Sequence, residues 1–279
     1  MSFEMILVDA FTDTPYRGNP CAVCLLTEER SSEWMQTLAS EMNLSETVFV
    51  SRLEDAWSLR YFTPTMEVAL CGHATFSSAH VLFERDLADG DVRLHPAMSD
   101  AMRAARAGDR IEIVFPRIDP VECELPGPAI EALDLAPLWT GQSSTSDHKY
   151  LVEIESCAQL RTLTPDYGAM RTLEGTQGVV VTARSDEPGV DFESRFFAGP
   201  AGIDEDPVCG SAHCMLTPYW ANRLSKSALQ AYQCSARGGS IECHLEDDAV
   251  RLVAPCVTVS EGRLSERAGV DVLTHGAVV

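Results

Sequence analysis

Long apolar runs and export signals are missing from this sequence of 279 residues. The longest unbroken apolar run, Cys21–Leu26, has six residues, whereas a helix that spans a bilayer needs about 20. The opening stretch MSFEMILVDAFTD contains Glu4 and Asp9 but no basic residue, so it lacks the positively charged start of a secretory signal. The sequence therefore predicts a protein that neither crosses a membrane nor carries such a signal.

Positive charge is also scarce. Lysine and arginine together number 21 against 42 acidic residues, which gives a formal net charge of −21. Such a surface repels nucleic-acid phosphates and anionic lipid head groups, so we expect neither as a partner. Apolar residues make up 45% and charged residues 23%, proportions that exclude a disordered chain. An anionic substrate would need local positive potential at its site, which helix N-termini and backbone amides supply.

Cysteine, by contrast, is plentiful, with ten residues. Without an export signal we expect a cytoplasmic location and free thiols. Cys21 and Cys24 lie three positions apart in the apolar stretch NPCAVCLL, which favours two small core residues over a redox or zinc pair. Cys209, His213 and Cys214 have no second Cys or His pair at zinc spacing, so we expect no metal site.

Short apolar segments bounded by turn residues predict a first half made mostly of strands, with two helices. One of these helices begins near Ser31 and continues through Trp34 and Leu38 at helical spacing. Five prolines between Pro116 and Pro137 mark the best candidate for a linker. We therefore place the domains at residues 1–117 and 118–279, with the extreme C-terminus as a segment that can return to the first half.

An internal repeat relates the two halves of the sequence. RYFTP at 60–64, followed by LCGHA at 70–74, is matched by RFFAGP at 195–200 and VCGSA at 208–212. SETVFVSR precedes the first copy and QGVVVTAR precedes the second. Cys71 and Cys209 are 138 residues apart, about half the chain. Ordered elements that recur at this spacing predict two domains of like fold, related by a pseudo-twofold axis, with the two Cys-Gly helix starts facing each other across a cleft.

Each copy of the repeat begins a helix at a Cys-Gly pair, with the glycines at Gly72 and Gly210. Unpaired N–H groups and partial positive charge at a helix N-terminus suit a carboxylate or an enolate-like intermediate. His73, Asp206 and the two thiols are groups that can transfer protons. This equipment indicates a site that moves a proton at a carbon next to a carboxylate. No glycine-rich phosphate loop is present, so neither a nucleotide nor another cofactor is expected.

These motifs resemble the phenazine-biosynthesis isomerase family, the PhzF-like proteins, which have the diaminopimelate-epimerase-like fold. The resemblance covers nearly the whole chain and rests on VDAFTDTPYRGNPCAV, NLSETVFV, LRYFTPTMEVALCGHAT, SRFFAGPAGIDEDPVCGSAH and QCSARGG. It implies an α+β fold of two similar domains, each an antiparallel-rich sheet wrapped around a central helix. It also implies a cofactor-free isomerase that acts on a small carboxylic acid and forms a homodimer.

The resemblance further implies roles for individual residues. Glu46 in NLSET matches the catalytic glutamate, His73 in GHAT the active-site histidine, and Asp206 in EDP its acidic partner. Four more positions match residues that line the substrate: Ser45, Gly72, Gly210 and Ser211. Without the family, Glu46 is an acid at the start of a strand, and such a residue is usually solvated.

Two alternatives stay open. Cys71 and Cys209 each precede glycine, as in two-thiol racemases and epimerases, where one thiol removes a proton and the other returns one. The residues that follow, Gly-His-Ala and Gly-Ser-Ala, depart from the epimerase pattern, which favours the glutamate-based isomerase. The other alternative is a catalytically silent binding protein on the same scaffold, against which the presence of Glu46, His73 and Asp206 argues.

Overall fold

The computed structural model describes residues 3–145, 148–265 and 267–268, which form two compact units. The first unit consists of Pro20–Ile113 with the described residues of Met1–Tyr16 and Pro255–Val279. The second consists of Val114–Ala254 (without the two residues at 146–147) together with Arg17–Asn19. The division falls at Ile113/Val114, a few residues before the boundary expected from the sequence.

The strands of the first unit form one continuous sheet. They are β1 (Glu4–Ala10), β2 (Asn19–Leu26), β3 (Glu46–Arg52), β4 (Trp57–Phe62), β5 (Glu67–Val68), β6 (Asp91–Pro96), β7 (Met102–Ala107), β8 (Arg110–Pro116) and, from the end of the chain, β17 (Cys256–Arg263). The order across the sheet is β17-β1-β2-β3-β4-β6-β7-β8, with β5 also paired to β4. Its helices are α1 (Ser32–Met42) and α2 (Gly72–Glu84).

The strands of the second unit also pair with one another. Its strands are β9 (Pro120–Glu122), β10 (Trp139–Ser143), β11 (Tyr150–Glu153), β12 (Val179–Arg184), β13 (Phe192–Phe197), β14 (Ala228–Gln233), β15 (Gly239–Leu245) and β16 (Ala249–Ala254). They pair in chain order from β9 to β16. The helices are α3 (Gly127–Leu133), α4 (Cys157–Thr162), α5 (Tyr167–Met170), the short 3₁₀ turn η1 (Gly199–Ala201) and α6 (Gly210–Leu224).

The two sheets repeat one topology and one register. Four neighbouring strands of each unit pair parallel, antiparallel and parallel in turn: β2-β3-β4-β6 and β11-β12-β13-β14. The central helix lies in the chain between the last two strands of each set. Thr47 pairs with Phe62 as Val179 pairs with Phe197. The repeat seen in the sequence is therefore a repeat of structure, and the α+β fold of two similar domains is confirmed.

A buried helix forms the centre of each unit. Ten of the 13 residues of α2 and 11 of the 15 residues of α6 are buried, so neither helix presents a polar face to water. Residues on α2 approach strands β1, β3, β7 and β17, and those on α6 approach β9, β14, β15 and β16. The strands of each unit thus wrap around its own central helix.

The outer face of each sheet is covered by shorter helices. Ser31 caps α1 by accepting a hydrogen bond from the Trp34 N–H (3.2 Å), which places Trp34 against Phe3 and Phe49 in a small aromatic core. Helices α3, α4 and α5 cover the second sheet through a separate apolar core. The proline-rich segment 116–137 is not an extended linker, because it contributes β9 and α3 to the second unit.

The cysteines are thiols, as expected. Cys21 and Cys24 are both fully buried, and their spacing in β2 directs them to opposite faces of the sheet, so they do not form a redox or zinc pair. Within the described ranges, no helix has the length and apolar character required to cross a membrane.

Candidate active site

The start of helix α2 brings functional side chains of the first unit together. Glu46 is the first residue of β3, Cys71 is the N-cap of α2, and His73 lies in its first turn. Glu46 Oε2 is 3.3 Å from His73 Nε2, and Cys71 Sγ is 3.4 Å from His73 Nδ1. Ser45 Oγ is 3.4 Å from the same Nε2. Four of the residues predicted from the sequence therefore form one cluster.

Burial gives Glu46 the acidity that suits a general base. The side chain of His73 is 5% exposed and that of Glu46 19%. Loss of water raises the pKa of Glu46 from 4.5 to about 7, and hydrogen bonds with Ser45 and Cys71 oppose part of that rise. A carboxyl with a pKa near neutrality can both accept and return a proton. Glu46 is thus not the solvated surface residue that its sequence context alone suggests.

The same three side chains offer donor atoms for a metal ion. One atom each from Glu46, Cys71 and His73 lies within 4.8 Å of the others. The thiol is closer to Nδ1 of His73 than to Nε2 (3.4 against 3.9 Å), whereas the carboxylate contacts Nε2. A metal ion held by all three would need a single ring nitrogen beside both partners. As placed, the thiol and the carboxylate contact different nitrogens of the His73 ring.

Buried hydroxyls hold the first turn of α2. Thr75 Oγ1 donates to the Cys71 carbonyl (2.7 Å) and contacts the Tyr61 hydroxyl (2.8 Å). Cys71 itself makes no side-chain cap to the helix, so the first N–H groups of α2 are not covered by its thiol. The turn that carries His73 is thereby fixed from the core side.

The start of α6 carries a different set of groups. Cys209 is the N-cap, and Asp206 lies three residues earlier, with its N–H donating to the Phe196 carbonyl (2.9 Å). Asp206 Oδ1 accepts hydrogen bonds from Asn19 Nδ2 (2.8 Å) and from the Val208 N–H (3.2 Å). Asn19 is fully buried. These bonds fix the orientation of the Asp206 carboxylate within the second unit.

Two more side chains brace the turn before α6. Gln233, fully buried, accepts from the Cys209 N–H through Oε1 (3.0 Å) and donates from Nε2 to the Asp206 carbonyl (2.6 Å). His213 Nδ1 contacts the Cys209 carbonyl at 2.7 Å. Burial lowers the pKa of His213 to about 4, so its ring is neutral at physiological pH and Nδ1 is the donor. His213 is therefore committed to the backbone of this turn.

The thiol at the start of α6 is held in its protonated form. Burial raises the pKa of Cys209 to about 12; the Asp206 carboxylate adds to the rise, and the Lys149 ammonium opposes it. Ser211 Oγ is 3.4 Å from Cys209 Sγ. Ser211 occupies the place in α6 that His73 occupies in α2, so the thiol of the second unit has a hydroxyl beside it where the first has an imidazole.

No side chain can occupy the position in the second unit that corresponds to Glu46. The shared register equates Glu46 with Gly178, the residue before Val179. Gly178 has φ +146°, and a Cβ there would lie 2.1 Å from the Phe197 carbonyl oxygen. A carboxyl at this position is thus a feature of the first unit alone.

The structure groups the predicted site residues into two sets. Ser45, Glu46, Cys71, Gly72 and His73 lie together in the first unit. Asp206, Cys209, Gly210 and Ser211 lie together in the second. That both sets act on one substrate stays a prediction of the repeat.

Three residues that act on the second set were not predicted from the sequence. Asn19 contacts Asp206 across 187 residues of sequence, and nothing in its turn RGNP indicates that partner. Gln233 opens the motif QCSARGG, but nothing in that motif indicates its contacts with Cys209 and Asp206. Lys149 does have a signal in the sequence, because it is one of only two lysines.

Comparison with known proteins gives concordant matches. The family profile described as "Phenazine biosynthesis-like protein" matches residues 8–262. An uncharacterized isomerase of Pseudomonas aeruginosa is 46% identical over 264 residues, which cover 95% of this chain and 99% of that protein. A crystal structure from Enterococcus faecalis, described as a phenazine biosynthesis protein of the PhzF family, has a TM-score of 0.89 at 34% identity and covers 95% of this chain and 100% of its own.

A more distant likeness extends to the racemases. The structure of a probable proline racemase from Agrobacterium radiobacter has a TM-score of 0.66 at 12% identity, over 95% of this chain and 93% of that one. At this identity the match shows the fold alone. The profile match and the close relative together span nearly the whole sequence. The chain therefore belongs to the family of phenazine biosynthesis-like proteins, the PhzF-like proteins.

Proposed function

We propose that this chain is a cofactor-independent isomerase that moves a proton within a small carboxylic acid, with Glu46 as the acid–base group. One observation carries the proposal: a carboxyl that is only 19% exposed and has a pKa of about 7 contacts His73 at the start of α2. The isomerase names of the close relatives in the family support the same reaction class. Enzymes that transfer protons place such a titrating group where water is scarce.

The proposed reaction conserves atoms and charge. Glu46 takes a proton from a carbon conjugated to the substrate's carboxyl group, and the electron pair of the broken C–H bond passes into the conjugated system. Backbone N–H groups at the helix starts, at Gly72 and Gly210, stabilise the developing oxyanion. The neutral Glu46 then returns the proton to another carbon on the same face, which shifts a double bond. His73 and Asp206 orient the substrate and move protons at its amine or hydroxyl.

A second candidate is a two-thiol racemase, favoured by the presence of Cys71 and Cys209 as N-caps of the two central helices. In that mechanism one thiol must be ionised to remove a proton. The pKa of about 12 at Cys209 leaves almost none of its thiol ionised at neutral pH, so Cys71 would have to supply the thiolate, whereas Glu46, with a pKa of about 7, can act as a base without a second group. The isomerase is therefore the first candidate.

The proposal is tested by proton exchange. Candidate unsaturated carboxylic acids and amino acids are incubated with the protein in D2O, and deuterium incorporation is followed by NMR. With an acid that exchanges, Glu46→Gln is expected to slow incorporation about 10²- to 10⁴-fold, because an amide keeps the shape but accepts no proton at neutral pH. Glu41→Gln, at an exposed position of α1, is the matched control and should exchange like wild type. Equal rates in wild type and Glu46→Gln would overturn the assignment of Glu46.

A further inference from the structure

A two-bond ion pair lies just before the start of α2. Arg60 on β4 donates from Nε to Glu67 Oε1 (2.7 Å) and from Nη2 to Glu67 Oε2 (2.6 Å). Both side chains are partly buried. A planar guanidinium bound through two parallel hydrogen bonds fixes the orientation of its partner as well as the distance between them. Glu67 is therefore held to β4 in one geometry.

The second unit contains the same pair at the same place in its fold. Arg195 on β13 donates from Nε to Glu205 Oε1 and from Nη2 to Glu205 Oε2, both at 2.7 Å. Arg60 and Arg195 each lie two residues before the phenylalanines that the shared register equates, Phe62 and Phe197. Each glutamate lies four residues before the cysteine that caps the central helix of its unit.

Each arginine also reaches an outer helix of its unit. Arg60 Nη2 donates to Ser32 Oγ at the start of α1 (2.8 Å), and Arg195 Nη1 donates to the Leu160 carbonyl in α4 (3.2 Å). The two helices correspond, since α1 lies in the chain between β2 and β3 and α4 lies between β11 and β12. The guanidinium carbon is 5.2 Å and 4.8 Å, respectively, from the ring of the phenylalanine two positions further along the strand. The whole arrangement thus occurs twice.

The two units agree in this pair although they differ in the groups that can transfer protons. Glu46 and His73 of the first unit correspond to Gly178 and Ser211 of the second. Both units nevertheless have the arginine, the glutamate and the Cys-Gly helix start. A feature that persists while the reactive groups around it change serves what both units still share. That shared element is a helix N-terminus, a setting that suits anions.

In the first unit the pair connects the two elements that carry the acid–base groups. Strand β4, which contains Arg60, pairs with β3, which begins at Glu46. Glu67 is followed within four residues by Cys71, and His73 lies in the next turn. The pair therefore ties the strand next to Glu46 to the segment that leads to His73. The contact of 3.3 Å between Glu46 Oε2 and His73 Nε2 depends on both elements being in place.

We propose that Arg60 and Arg195 are positioning residues, each of which, through its glutamate, fixes the start of the central helix against the neighbouring strand. In the first unit this keeps His73 beside Glu46, and in the second it keeps Asp206, the residue after the glutamate, in place. Each arginine acts through the backbone of its helix start and not on the substrate. The inference rests on the proposed function for its effect on proton transfer, whereas the positioning itself can be observed without a substrate.

Histidine signals allow the two helix starts to be observed separately. The chain has seven histidines, few enough for an NMR spectrum of protein labelled with ¹⁵N in the histidine rings to be assigned. His73 reports on the start of α2, because it contacts Glu46, and His213 reports on the start of α6, because it contacts the Cys209 carbonyl. His73→Gln and His213→Gln assign the two sets of signals by removing one each.

Each arginine variant should disturb one helix start. At one fixed pH we expect Arg60→Met to shift the His73 ring signals and to leave those of His213 in place. Arg195→Met should do the reverse. Glu67→Gln keeps the shape of the partner and one acceptor oxygen, so it should shift the His73 signals by less and provides the test if Arg60→Met does not fold. Unchanged His73 signals in the folded variant, or equal shifts at both histidines, overturn the proposal.

An exposed pair provides the matched control. Arg93 Nη1 is 3.0 Å from Asp55 Oδ2, and both side chains are well exposed. Arg93→Met changes the net charge as Arg60→Met does, so it should leave both histidines unshifted. In the second unit, Glu205→Gln replaces Arg195→Met if that variant does not fold.

Kinetics separate positioning from a contribution to stability alone. With an acid that exchanges protons, Arg60→Met should lower kcat about 10- to 100-fold and leave KM nearly unchanged, because displaced acid–base groups lose rate while no substrate contact is removed. Arg93→Met should exchange like wild type. An Arg60→Met protein that is less stable in urea but keeps its kcat shows a structural role only and overturns the proposal.

The two proposals fail in different ways. If Glu46→Gln exchanges protons normally while Arg60→Met shifts the His73 signals, the isomerase mechanism is wrong and the positioning role stands. If Glu46→Gln loses exchange but Arg60→Met leaves the His73 signals and kcat unchanged, the positioning role is wrong and the mechanism stands.

Discussion

The starts of α2 and α6 have the same backbone setting and different chemistry. Both follow the same strand topology and register, and both are capped by a cysteine that precedes glycine. The first carries Glu46 and His73; the second has Gly178 and Ser211 at those positions. The fold therefore preserves two helix N-termini, which suit anions, while the carboxyl whose pKa is raised to about 7, Glu46, belongs to the first.

The hydrogen bonds that hold the turns at Cys71 and Cys209 also differ between the two units. In the first unit, Thr75 Oγ1 donates a hydrogen bond to the Cys71 carbonyl and contacts the Tyr61 hydroxyl. In the second unit, His213 occupies the position of Thr75 and contacts the Cys209 carbonyl. Gln233 accepts a hydrogen bond from the Cys209 N–H, whereas the first unit has Pro96 at the corresponding position. The second turn is held by more long-range hydrogen bonds, which suits a binding role. The first leaves its acid and imidazole in contact, which suits proton transfer.

The largest effect should come from forcing the second unit to resemble the first. Gly178→Ala places a Cβ 2.1 Å from the Phe197 carbonyl oxygen in a backbone conformation that only glycine adopts readily. We expect a loss of about 4 kcal/mol in the free energy of unfolding, or no folded protein. Urea denaturation provides the measurement. Gly175→Ala, also at positive φ but with open space around it, is the control and should cost about 1 kcal/mol. Equal losses in the two variants would contradict the steric argument.

A pH-dependent effect should distinguish the first unit. The folded state keeps the Glu46 proton up to about pH 7, whereas a pKa of 4.5 applies without burial. Between these values the unfolded state loses its proton first, so wild type loses stability as the pH rises, and glutamine at 46 does not. Glu46→Gln should therefore be more stable than wild type by up to about 3 kcal/mol near pH 8, and nearly equal to it near pH 4.

Urea unfolding of both proteins at the two pH values measures this difference. Glu41→Gln, at an exposed site, should show no such change with pH. A stability difference between Glu46→Gln and wild type that does not grow with pH would mean that the Glu46 carboxyl has an ordinary pKa.

The smallest effect should come from the brace of the first turn. Tyr61→Phe removes the hydroxyl that contacts Thr75 Oγ1, while Thr75 can still donate to the Cys71 carbonyl. We expect a loss of about 1 kcal/mol in the free energy of unfolding, because one buried hydrogen bond disappears. Tyr16→Phe, at a side chain that is 75% exposed, should change nothing measurable. A loss at Tyr61 no greater than at Tyr16 would show that the brace contributes no stability.

Local sequence signals predicted the framework well. The matched Cys-Gly pairs predicted two helix starts, and Ser31 predicted the N-cap of α1, because both signals reside in a few adjacent residues. The short helices α4 and α5 were missed, since each has too few residues to show a helical period. The prolines of 116–137 indicated a linker, but proline is also common at the start of a strand and at a helix start, where the structure places Pro120, Pro126 and Pro128.

The site was predictable only in part. Family motifs pointed to Glu46, but its burial depends on strands and a helix that meet only in the fold, so its raised pKa has no local signature. Asn19 and Gln233 act on Asp206 and Cys209 through contacts that span 187 and 24 residues. From the sequence, Gly178 resembles any glycine in a turn. The requirement for glycine follows only from its position against the Phe197 carbonyl, which the sequence does not show.

The central claim is that proton transfer belongs to the first unit's carboxyl and not to the pair of thiols. Deuterium incorporation into one exchanging acid, measured side by side in Glu46→Gln, Cys71→Ser and Cys209→Ser, tests it most directly. We predict a loss of about 10²- to 10⁴-fold in Glu46→Gln and less than about 10-fold in either serine variant. Strong loss in both serine variants with near-normal exchange in Glu46→Gln would contradict the account and establish the two-thiol mechanism.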